Sequence, residues 1–316
     1  MDSRLPTHRL PRVTTRQLWH FVAAAEAGKL AEAGRALRLA PSAISNSIDE
    51  LETTLGVQLC IRRKAKGIVL TPSGEAALAL ARNLLNDLLD FESAFNGADE
   101  STSSPLVIGC YASLAPMALP VTQARFAQQY PHAAVEFVED MHDALQERLL
   151  EGSIDMAFLY DLDLDHRLKR VPLLSVTPRV LMPVDHPLAA PGAPDRIPLS
   201  LLADETFVLF SASPMYEHYL RIFSEAGIEP RIAHTCRNVG TMRAFVGRGT
   251  GLALWYEKYD LTVSVENLEI VSKPVDSAVA HPVDICMALP RGAKPSVLAK
   301  RWMETASAVF EDRVRV

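Results

Sequence analysis

The chain has 316 residues, of which 48% are hydrophobic, so it can bury enough apolar surface for two or three domains. Its longest apolar runs are far shorter than the roughly 18 residues of a membrane-spanning helix, and its N-terminus lacks the apolar core of a signal peptide. We therefore expect a cytoplasmic protein. The four cysteines are widely separated and lack metal-ligand spacing, so we expect no disulfide, no metal and no cofactor.

The net charge of -6 is unevenly distributed along the chain. Residues 1–74 contain eleven Lys or Arg and six Asp or Glu, which gives them a charge of +5 and leaves -11 for the rest. Because charges act within a Debye length of about 8 to 10 Å, a basic head can bind phosphates although the whole chain is acidic. This distribution predicts a nucleic-acid-binding head on a body with another task.

Apolar residues at helical spacing predict two short helices at the start of the head. The first covers residues 15–27 behind a cap at Thr14 or Thr15. The second runs from about Leu30 to Leu39, and Gly34 within it leaves room for the close approach of another helix.

A third helix is predicted to start near Pro41 or Ser42, because proline suits a first helical turn, and to end at Gly56. Its expected buried residues are Ala43, Ile44, Ile48, Leu51 and Leu55. The tight turn before this helix is typical of a helix-turn-helix that reads DNA. The stretch "VQLCIRRKAKGIVLTPSG" then alternates like a hairpin, with four cations around Gly67.

A long helix is predicted over residues 75–95, with apolar residues on more than one stripe. It could pack on its own domain, but two apolar stripes favour a helix that pairs with a second subunit. Residues 96–105 have the polar composition of a linker.

The remainder predicts two α/β lobes with a cleft between them. Strands and helices alternate from "LVIGCY" to "DMAFLY" and again from "TFVLF" to "GLALW", which suggests two sets of parallel-sheet units. The stretch "RVPLLSVTPRVLMP" joins them, and the strand near "VDICMAL" and a helix over residues 295–310 could cross back between the lobes.

With this order, the chain resembles a LysR-type transcriptional regulator over essentially its whole length. The resemblance rests on "AISNSIDELETTLGVQLCIRR…LTPSG", on the long helix, and on "HPLA" and "VGRGTGLAL". It implies a winged helix-turn-helix at residues 1–74, a dimerisation helix and linker at 75–104, and at 105–316 an effector-binding region of two lobes like periplasmic binding proteins. It also implies a homodimer or homotetramer that binds double-stranded DNA at a pseudo-palindromic operator and responds to a small molecule, with RNA polymerase as a further partner.

The predicted recognition helix departs from the chemistry common in this family. Lys29 stands where serine is common ahead of the second helix, and Pro41, Asn46, Ser47 and Asp49 stand where Gln, Arg, Gln and Arg are frequent. Because the acids on this helix repel phosphates, we expect phosphate affinity to come from the hairpin and nearby arginines, and base reading from serine and asparagine. Asn46 could alternatively only solvate the helix. The expected DNA-binding residues are Lys29, Arg35, Arg38, Pro41, Ser42, Ser45, Asn46, Arg62, Arg63 and Lys64.

Effector contacts are expected where strands meet helices, because unpaired helix N–H groups attract polar or anionic ligands there. The junctions "CYASLAP" and "FSASPMY" lie at corresponding places in the two lobes. Each serine could instead only cap its helix, and the arginine could form a surface ion pair. The expected residues are Cys110, Tyr111, Ser113, Tyr160, Ser211, Ser213, Tyr216, Arg237, Asn238 and Thr241.

Two other classes of function fit the sequence less well. An enzyme would need a catalytic motif, and the chain contains no GxSxG, HExxH or phosphate-binding loop. An architectural DNA-binding protein without an effector would leave the two-lobed body unexplained.

Overall fold

The structure is a computed structural model that describes residues 11–63, 67–96, 105–256 and 262–314. Within these ranges, the buried apolar side chains form two separate cores, one from residues 21–85 and the other from residues 106–310. The four cysteines are free and buried. None of the described helices combines the length and apolar character needed to cross a membrane, and no described group of three or more His, Cys, Asp or Glu is placed to hold a metal ion.

Three helices build the N-terminal core, and each lies within two residues of its predicted bounds. They are α1 Thr15–Ala27, α2 Leu30–Leu37 and α3 Pro41–Leu55. Thr14 caps α1 as predicted: its hydroxyl accepts a hydrogen bond from the Gln17 amide, while the Gln17 side chain accepts one from the Thr14 amide.

Helix α2 is two residues shorter than predicted because the chain turns at Arg38. Arg38 has a left-handed φ of 56°, which ends the helix. The turn brings the Leu39 carbonyl against Gly34, where a Cβ atom would lie only 2.7 Å from that oxygen. Gly34 therefore makes room for the turn, and it also lies close to the start of α3 as predicted, because the same Cβ would be 3.5 Å from the Pro41 ring.

Helix α3 begins at Pro41 and ends before Gly56 as predicted, but its buried face differs in part from the prediction. Ile44, Ile48 and Leu51 are buried. Ala43 and Leu55 are exposed, because Ala43 lies about 100° around the helix from Ile44 and Leu55 lies in the last turn, beyond the buried stretch. The prediction that these two residues join the core is wrong.

The predicted hairpin is present as β1 Cys60–Arg63 and β2 Gly67–Leu70, which pair antiparallel. The helix that follows, α4 Pro72–Asn96, starts three residues before the predicted position. The reason is a cap at Thr71, whose hydroxyl accepts a hydrogen bond from the Gly74 amide at 3.0 Å. The "TPSG" segment is therefore the start of the long helix and not a turn ahead of it.

The predicted strands and helices of the body occur in the predicted order, together with four strands that were not predicted, at residues 168–176, 178–183, 197–198 and 270–276. Their bounds are β3 Leu106–Tyr111, α5 Ala115–Gln129, β4 Val135–Asp140, α6 His142–Leu150, β5 Met156–Tyr160, β6 Leu168–Val176, β7 Pro178–Pro183, β8 Ile197–Pro198, β9 Thr206–Phe210, α7 Met215–Glu225, β10 Arg231–Cys236, α8 Val239–Gly247, β11 Ala253–Tyr256, β12 Ile270–Asp276, β13 Val283–Pro290 and α9 Val297–Val314.

The first lobe is a sheet in the order β4-β3-β5-β13-β6. Strand β3 pairs parallel with β4 and β5, and β13 returns from the second lobe to pair antiparallel with β5 and β6. The predicted crossing back of the "VDICMAL" strand is thus confirmed. Helix α9 packs on this lobe through Trp302, whose ring lies 4.9 Å from that of Phe126.

The second lobe differs from the predicted set of parallel units. Strand β9 pairs parallel with β10, with a register shift between Ile232 and His234, and β8 pairs parallel with β12 over two residues. Strand β7, in contrast, pairs antiparallel with both β11 and β12. The "RVPLLSVTPRVLMP" segment, predicted as a joint, forms β6 in the first lobe and β7 in the second. The chain therefore crosses between the lobes after β6 and again before β13.

Candidate DNA-binding surface and effector cleft

The solvent-facing side of α3 carries the polar residues expected to read DNA. Pro41, Ser42, Asn46 and Asp49 are exposed, whereas Ser45 is half-buried. The N-terminal residues of a recognition helix contact base edges in the major groove. Ser42 and Asn46 lie on that part of the helix, with β1 and β2 beside it in the same core.

Two acids on α3 hold neighbouring elements of the head in place. The Glu50 carboxylate accepts a hydrogen bond from the Gln17 side chain at 3.3 Å. Glu52 Oε1 accepts from the backbone amides of Leu59 at 2.7 Å and Cys60 at 2.8 Å, which fixes the start of β1 against the helix. Burial raises the pKa of the Cys60 thiol to about 11. The role of Glu52 was not anticipated, because its partners are backbone groups that have no sequence signature.

The arginine expected to bind phosphate in the hairpin is occupied within the protein. Arg62 Nη2 donates to Asp49 Oδ1 in a short ion pair and to the Ser45 carbonyl at 3.3 Å. The Arg62 guanidinium of the hairpin therefore lies against α3. The backbone of Arg63 lies in β1, and Lys64 lies outside the described residues.

The remaining predicted cations lie around α2. Lys29 forms an ion pair with Glu32 at 3.1 Å. Arg35 and Arg38 are both exposed. The formal charge of the head is thus partly neutralised by local pairs, and the two arginines of α2 and its end carry the more accessible positive charge.

Tyr111 joins the two lobes across the cleft. Its hydroxyl donates to the Ala212 carbonyl, in the segment between β9 and α7, at 3.4 Å. Its ring meets the rings of Tyr160 at 5.9 Å and His142 at 6.0 Å edge-on. Tyr111 and Tyr160 are fully or almost fully buried. The structure thus brings these predicted residues of the first lobe against the second junction.

The other predicted effector residues differ in their surroundings. The Ser113 hydroxyl oxygen is buried and has no hydrogen-bond partner among the described residues. Asn238 caps α8 by accepting from the Thr241 amide at 3.0 Å. Cys110 is fully buried in β3, and its thiol approaches the backbone oxygen of Tyr111 at 3.6 Å. Half-buried positions are Ser211 and Tyr216, and exposed positions are Ser213, Arg237, Asn238 and Thr241.

Three residues near the cleft were missed by the sequence analysis. His142 Nε2 lies 3.1 Å from the Tyr160 carbonyl. His218 Nε2 lies 2.9 Å from the Tyr256 hydroxyl. That hydroxyl donates to the carbonyl of His281, in the segment between β12 and β13. Both His142 and His218 lie within the first four residues of a helix that follows a strand. That position in the sequence could have identified them as candidate cleft residues.

The two histidines and the two tyrosines described near the cleft are neutral at physiological pH. Burial lowers the pKa of His142. Burial, with a smaller contribution from the Arg221 charge, lowers the pKa of His218 to about 4. Burial also raises the pKa of Tyr111 and of Tyr256 above the usual value for tyrosine. These groups therefore offer hydrogen bonds to a ligand without a formal charge.

The Arg82 side chain on α4 connects the N-terminal core with the first lobe. Its Nε and Nη2 atoms lie 3.1 Å and 3.0 Å from Glu26 Oε1 on α1. Its Nη1 atom donates to the Glu151 carbonyl, immediately after α6, at 2.8 Å. A charge-assisted contact of this kind is stronger than a neutral hydrogen bond, and it relates the head to the lobe that contains Tyr111.

Comparison with known proteins gives consistent matches to both parts of the chain. The family model described as "Bacterial regulatory helix-turn-helix protein, lysR family" matches residues 15–75, and "LysR substrate binding domain" matches residues 99–311. The HTH-type transcriptional regulator YvbU of Bacillus subtilis is 27% identical over 299 residues, which cover 94% of this chain and 99% of YvbU.

Two solved structures extend this similarity to three dimensions. HinK, a LysR family transcriptional regulator from Pseudomonas aeruginosa, is 28% identical with a TM-score of 0.62, over 94% of this chain and 98% of HinK. Full-length CbnR, solved in complex with its target DNA, is 23% identical with a TM-score of 0.53, over 94% of this chain and 99% of CbnR. The likeness to CbnR is one of fold.

His218 should make the stability of the body depend on pH. Its pKa is lowered from 6.5 to about 4 in the folded chain, so the unfolded chain binds more protons in this window and stability falls as the pH drops through it. We expect His218→Gln, which keeps a donor for Tyr256 but does not titrate, to lose thermal stability less steeply over that window. The exposed His132→Gln serves as the matched control, and equal pH slopes for both variants would contradict the assignment.

Proposed function

The chain belongs to the LysR family, and from this premise we propose which of its residues bind DNA, pair the subunits and hold the effector. The family consists of transcriptional regulators and not of enzymes. The protein is a sequence-specific DNA-binding regulator controlled by a small molecule held between its two lobes. We divide it into a DNA-binding domain at 1–74, a linker helix and linker at 75–104, and an effector-binding region at 105–316, and place it in the cytoplasm with its DNA.

The observation that best supports the proposed DNA contacts is the exposed polar face of α3 beside the β1–β2 hairpin. Asn46 on this face can pair with an adenine through two hydrogen bonds, and Ser42 and Ser45 lie within one turn of it. Cations at the edges of the surface supply contacts to phosphates, which set register and strength. The proposed contacts are Lys29, Arg35, Arg38, Pro41, Ser42, Ser45, Asn46, Arg63 and Lys64. Arg62, which the sequence predicted as a further contact, is instead paired with Asp49 and the Ser45 carbonyl.

The proposed subunit contact lies on the uncovered side of α4. Leu78, Ala81 and Leu85 of this helix are buried in the N-terminal core. A second stripe is exposed, with 65% of Leu80, 57% of Leu84, 37% of Leu88 and 63% of Phe91 accessible. Because these residues recur every three or four positions, they form one face that a second α4 would cover. A dimer, or a pair of dimers, would then bind a pseudo-palindromic operator and place RNA polymerase within reach of the bound assembly.

The proposed effector is a small polar or anionic metabolite that contacts both lobes. The unpaired buried oxygen of Ser113 supports this placement, since buried polar atoms normally have a partner. Tyr111 and Tyr160 supply the wall on the first lobe, and the segment from Ser211 to Tyr216 faces Tyr111 through Ala212. Arg237, Asn238 and Thr241 lie at the start of α8 and extend the site. A ligand that favours one of two subunit arrangements would shift the population toward it, and that arrangement would set the contact with RNA polymerase.

Asn46→Ala should change the preferred operator sequence and leave binding to unrelated duplexes unchanged. A lost pair of hydrogen bonds to one base costs about 1–3 kcal/mol of discrimination. Selection from randomised duplexes, followed by fluorescence anisotropy titrations, would measure both quantities. Thr54→Ala, which is exposed at the other end of α3, is the control. An unchanged preferred sequence in Asn46→Ala would rule out base contact by this residue.

Leu84→Glu combined with Leu88→Glu should dissociate the assembly and weaken operator binding, because charges on the pairing face cannot be buried without a partner. Losing the second half-site removes an intramolecular contact and reduces affinity by roughly 100-fold or more. Light scattering gives the particle mass. Leu201→Glu with Val265→Glu places the same charges on exposed apolar residues of the second lobe. Particles of unchanged mass in the α4 variant would refute the proposed contact.

Ser113→Ala should weaken effector binding without destabilising the ligand-free protein. The hydroxyl has no partner to lose, so its removal is neutral or slightly stabilising, whereas a ligand loses about 0.5–1.5 kcal/mol, or 2- to 13-fold in affinity. A thermal-shift screen of small carboxylates, amides and sugars would find the ligand, and a titration would compare the variant. The exposed Ser200→Ala is the control. A ligand that stabilises wild type and Ser113→Ala equally would place the effector elsewhere.

A further inference from the structure

Building on the DNA-contact surface proposed above, we propose that Asp49 lowers the sequence-independent affinity of the protein for DNA by holding Arg62 away from the DNA phosphates. A DNA-binding regulator meets its operator among a large excess of other DNA. Attraction between cations and phosphates binds the protein to all of this DNA alike. Asp49 removes one such attraction, because its carboxylate pairs with Arg62 of the hairpin and neutralises that charge.

The geometry of this pair is specific. Ser45 and Asp49 are four residues apart and so lie one above the other on the same face of α3. Arg62, from β1, reaches across to both, with one nitrogen shared between the Asp49 carboxylate and the Ser45 carbonyl. Two acceptors on consecutive turns of the helix thus fix the position of the guanidinium. They hold it against α3 and prevent it from extending away from the hairpin.

The ion pair contributes little to the stability of the fold. The side chains of Arg62 and Asp49 are 41% and 52% exposed, and pairs with this exposure generally add little to stability, because water screens them. Stability alone therefore does not account for a carboxylate on the surface that faces a polyanion. Its position next to the proposed base-reading residue Asn46 makes DNA binding the process that it affects.

The other acids of α3 have different partners, which separates Asp49 from them. Glu50 accepts a hydrogen bond from the neutral side chain of Gln17, and Glu52 accepts from two backbone amides. Among the described acids of α3, Asp49 is therefore the one paired with a cation. Removing the Glu50 charge changes the electrostatic field of the same helix without releasing an arginine.

Release of Arg62 has a measurable signature. A cation that moves onto a phosphate displaces condensed counterions, which steepens the plot of log affinity against log salt by about 0.9. At about 0.1 M salt one additional phosphate contact raises affinity by about 5- to 10-fold on any duplex. Because operator and unrelated DNA both have this phosphate, the affinity for every duplex rises by the same factor, and less of the protein remains free of DNA.

The test is a salt titration of full-length protein on one duplex of mixed, non-operator sequence. Asp49→Ala is compared with Glu50→Ala, and each is also prepared in an Arg62→Gln background. We expect Asp49→Ala to gain about 5- to 10-fold in affinity and about 0.9 in slope, Glu50→Ala to gain much less in slope, and Asp49→Ala to gain no slope once Arg62 is replaced. Thermal unfolding of each variant verifies that the fold is retained.

Other outcomes overturn the inference in distinguishable ways. Equal slopes for Asp49→Ala and Glu50→Ala would show a general effect of charge, and a gain that persists in the Arg62→Gln background would show that Arg62 is not the released cation. An unchanged or reduced slope in Asp49→Ala would refute the holding role while leaving the proposed surface intact. If Asn46→Ala also left operator binding unchanged, the proposed surface itself would be wrong.

Discussion

The contact of Arg82 with both cores is the constraint that relates DNA binding to the effector cleft. One guanidinium binds a carboxylate of α1 and the backbone oxygen of Glu151, the residue that follows α6. Helix α6 is nine residues long and begins at His142, whose ring meets Tyr111 in the cleft. One connection between the cleft and the DNA-binding domain thus runs through α6 and the Arg82 side chain. A ligand acts on this connection only to the extent that it binds one arrangement more tightly than another.

The DNA-binding domain is basic by composition, but its effective charge is set by local pairs. Lys29 is paired with Glu32, and Arg62 with Asp49. A net charge counted along the sequence assigns every cation equally to DNA, whereas a paired cation must first lose its partner. The balance between affinity and discrimination therefore depends on which cations remain accessible. Arg35 and Arg38 are two that the structure leaves exposed.

The proposed effector cleft contains neutral polar groups whose orientation is fixed by neighbours. His142 is held by the Tyr160 carbonyl and by the Gln146 side chain at 3.0 Å. The Tyr256 hydroxyl connects His218 to the backbone carbonyl of His281, between β12 and β13. Groups that are oriented before a ligand arrives lose little entropy on binding, which favours selectivity among small polar molecules. The same burial that orients the histidines also keeps them uncharged.

The sequence by itself determined the order of helices and strands, the cap at Thr14, the start of α3 at Pro41 and the family, because hydrophobic periodicity and capping act over a few neighbouring residues. Tertiary structure decided the features that depend on distant partners. The exposure of Ala43 and Leu55 depends on which elements cover α3. The antiparallel pairing of β7 with β11 and β12 depends on the two places where the chain passes from one lobe to the other. The pairing of Arg62 with Asp49 and the meeting of His218 with Tyr256 join residues 13 and 38 positions apart. Their contact follows from the packing of whole elements, which no local pattern encodes.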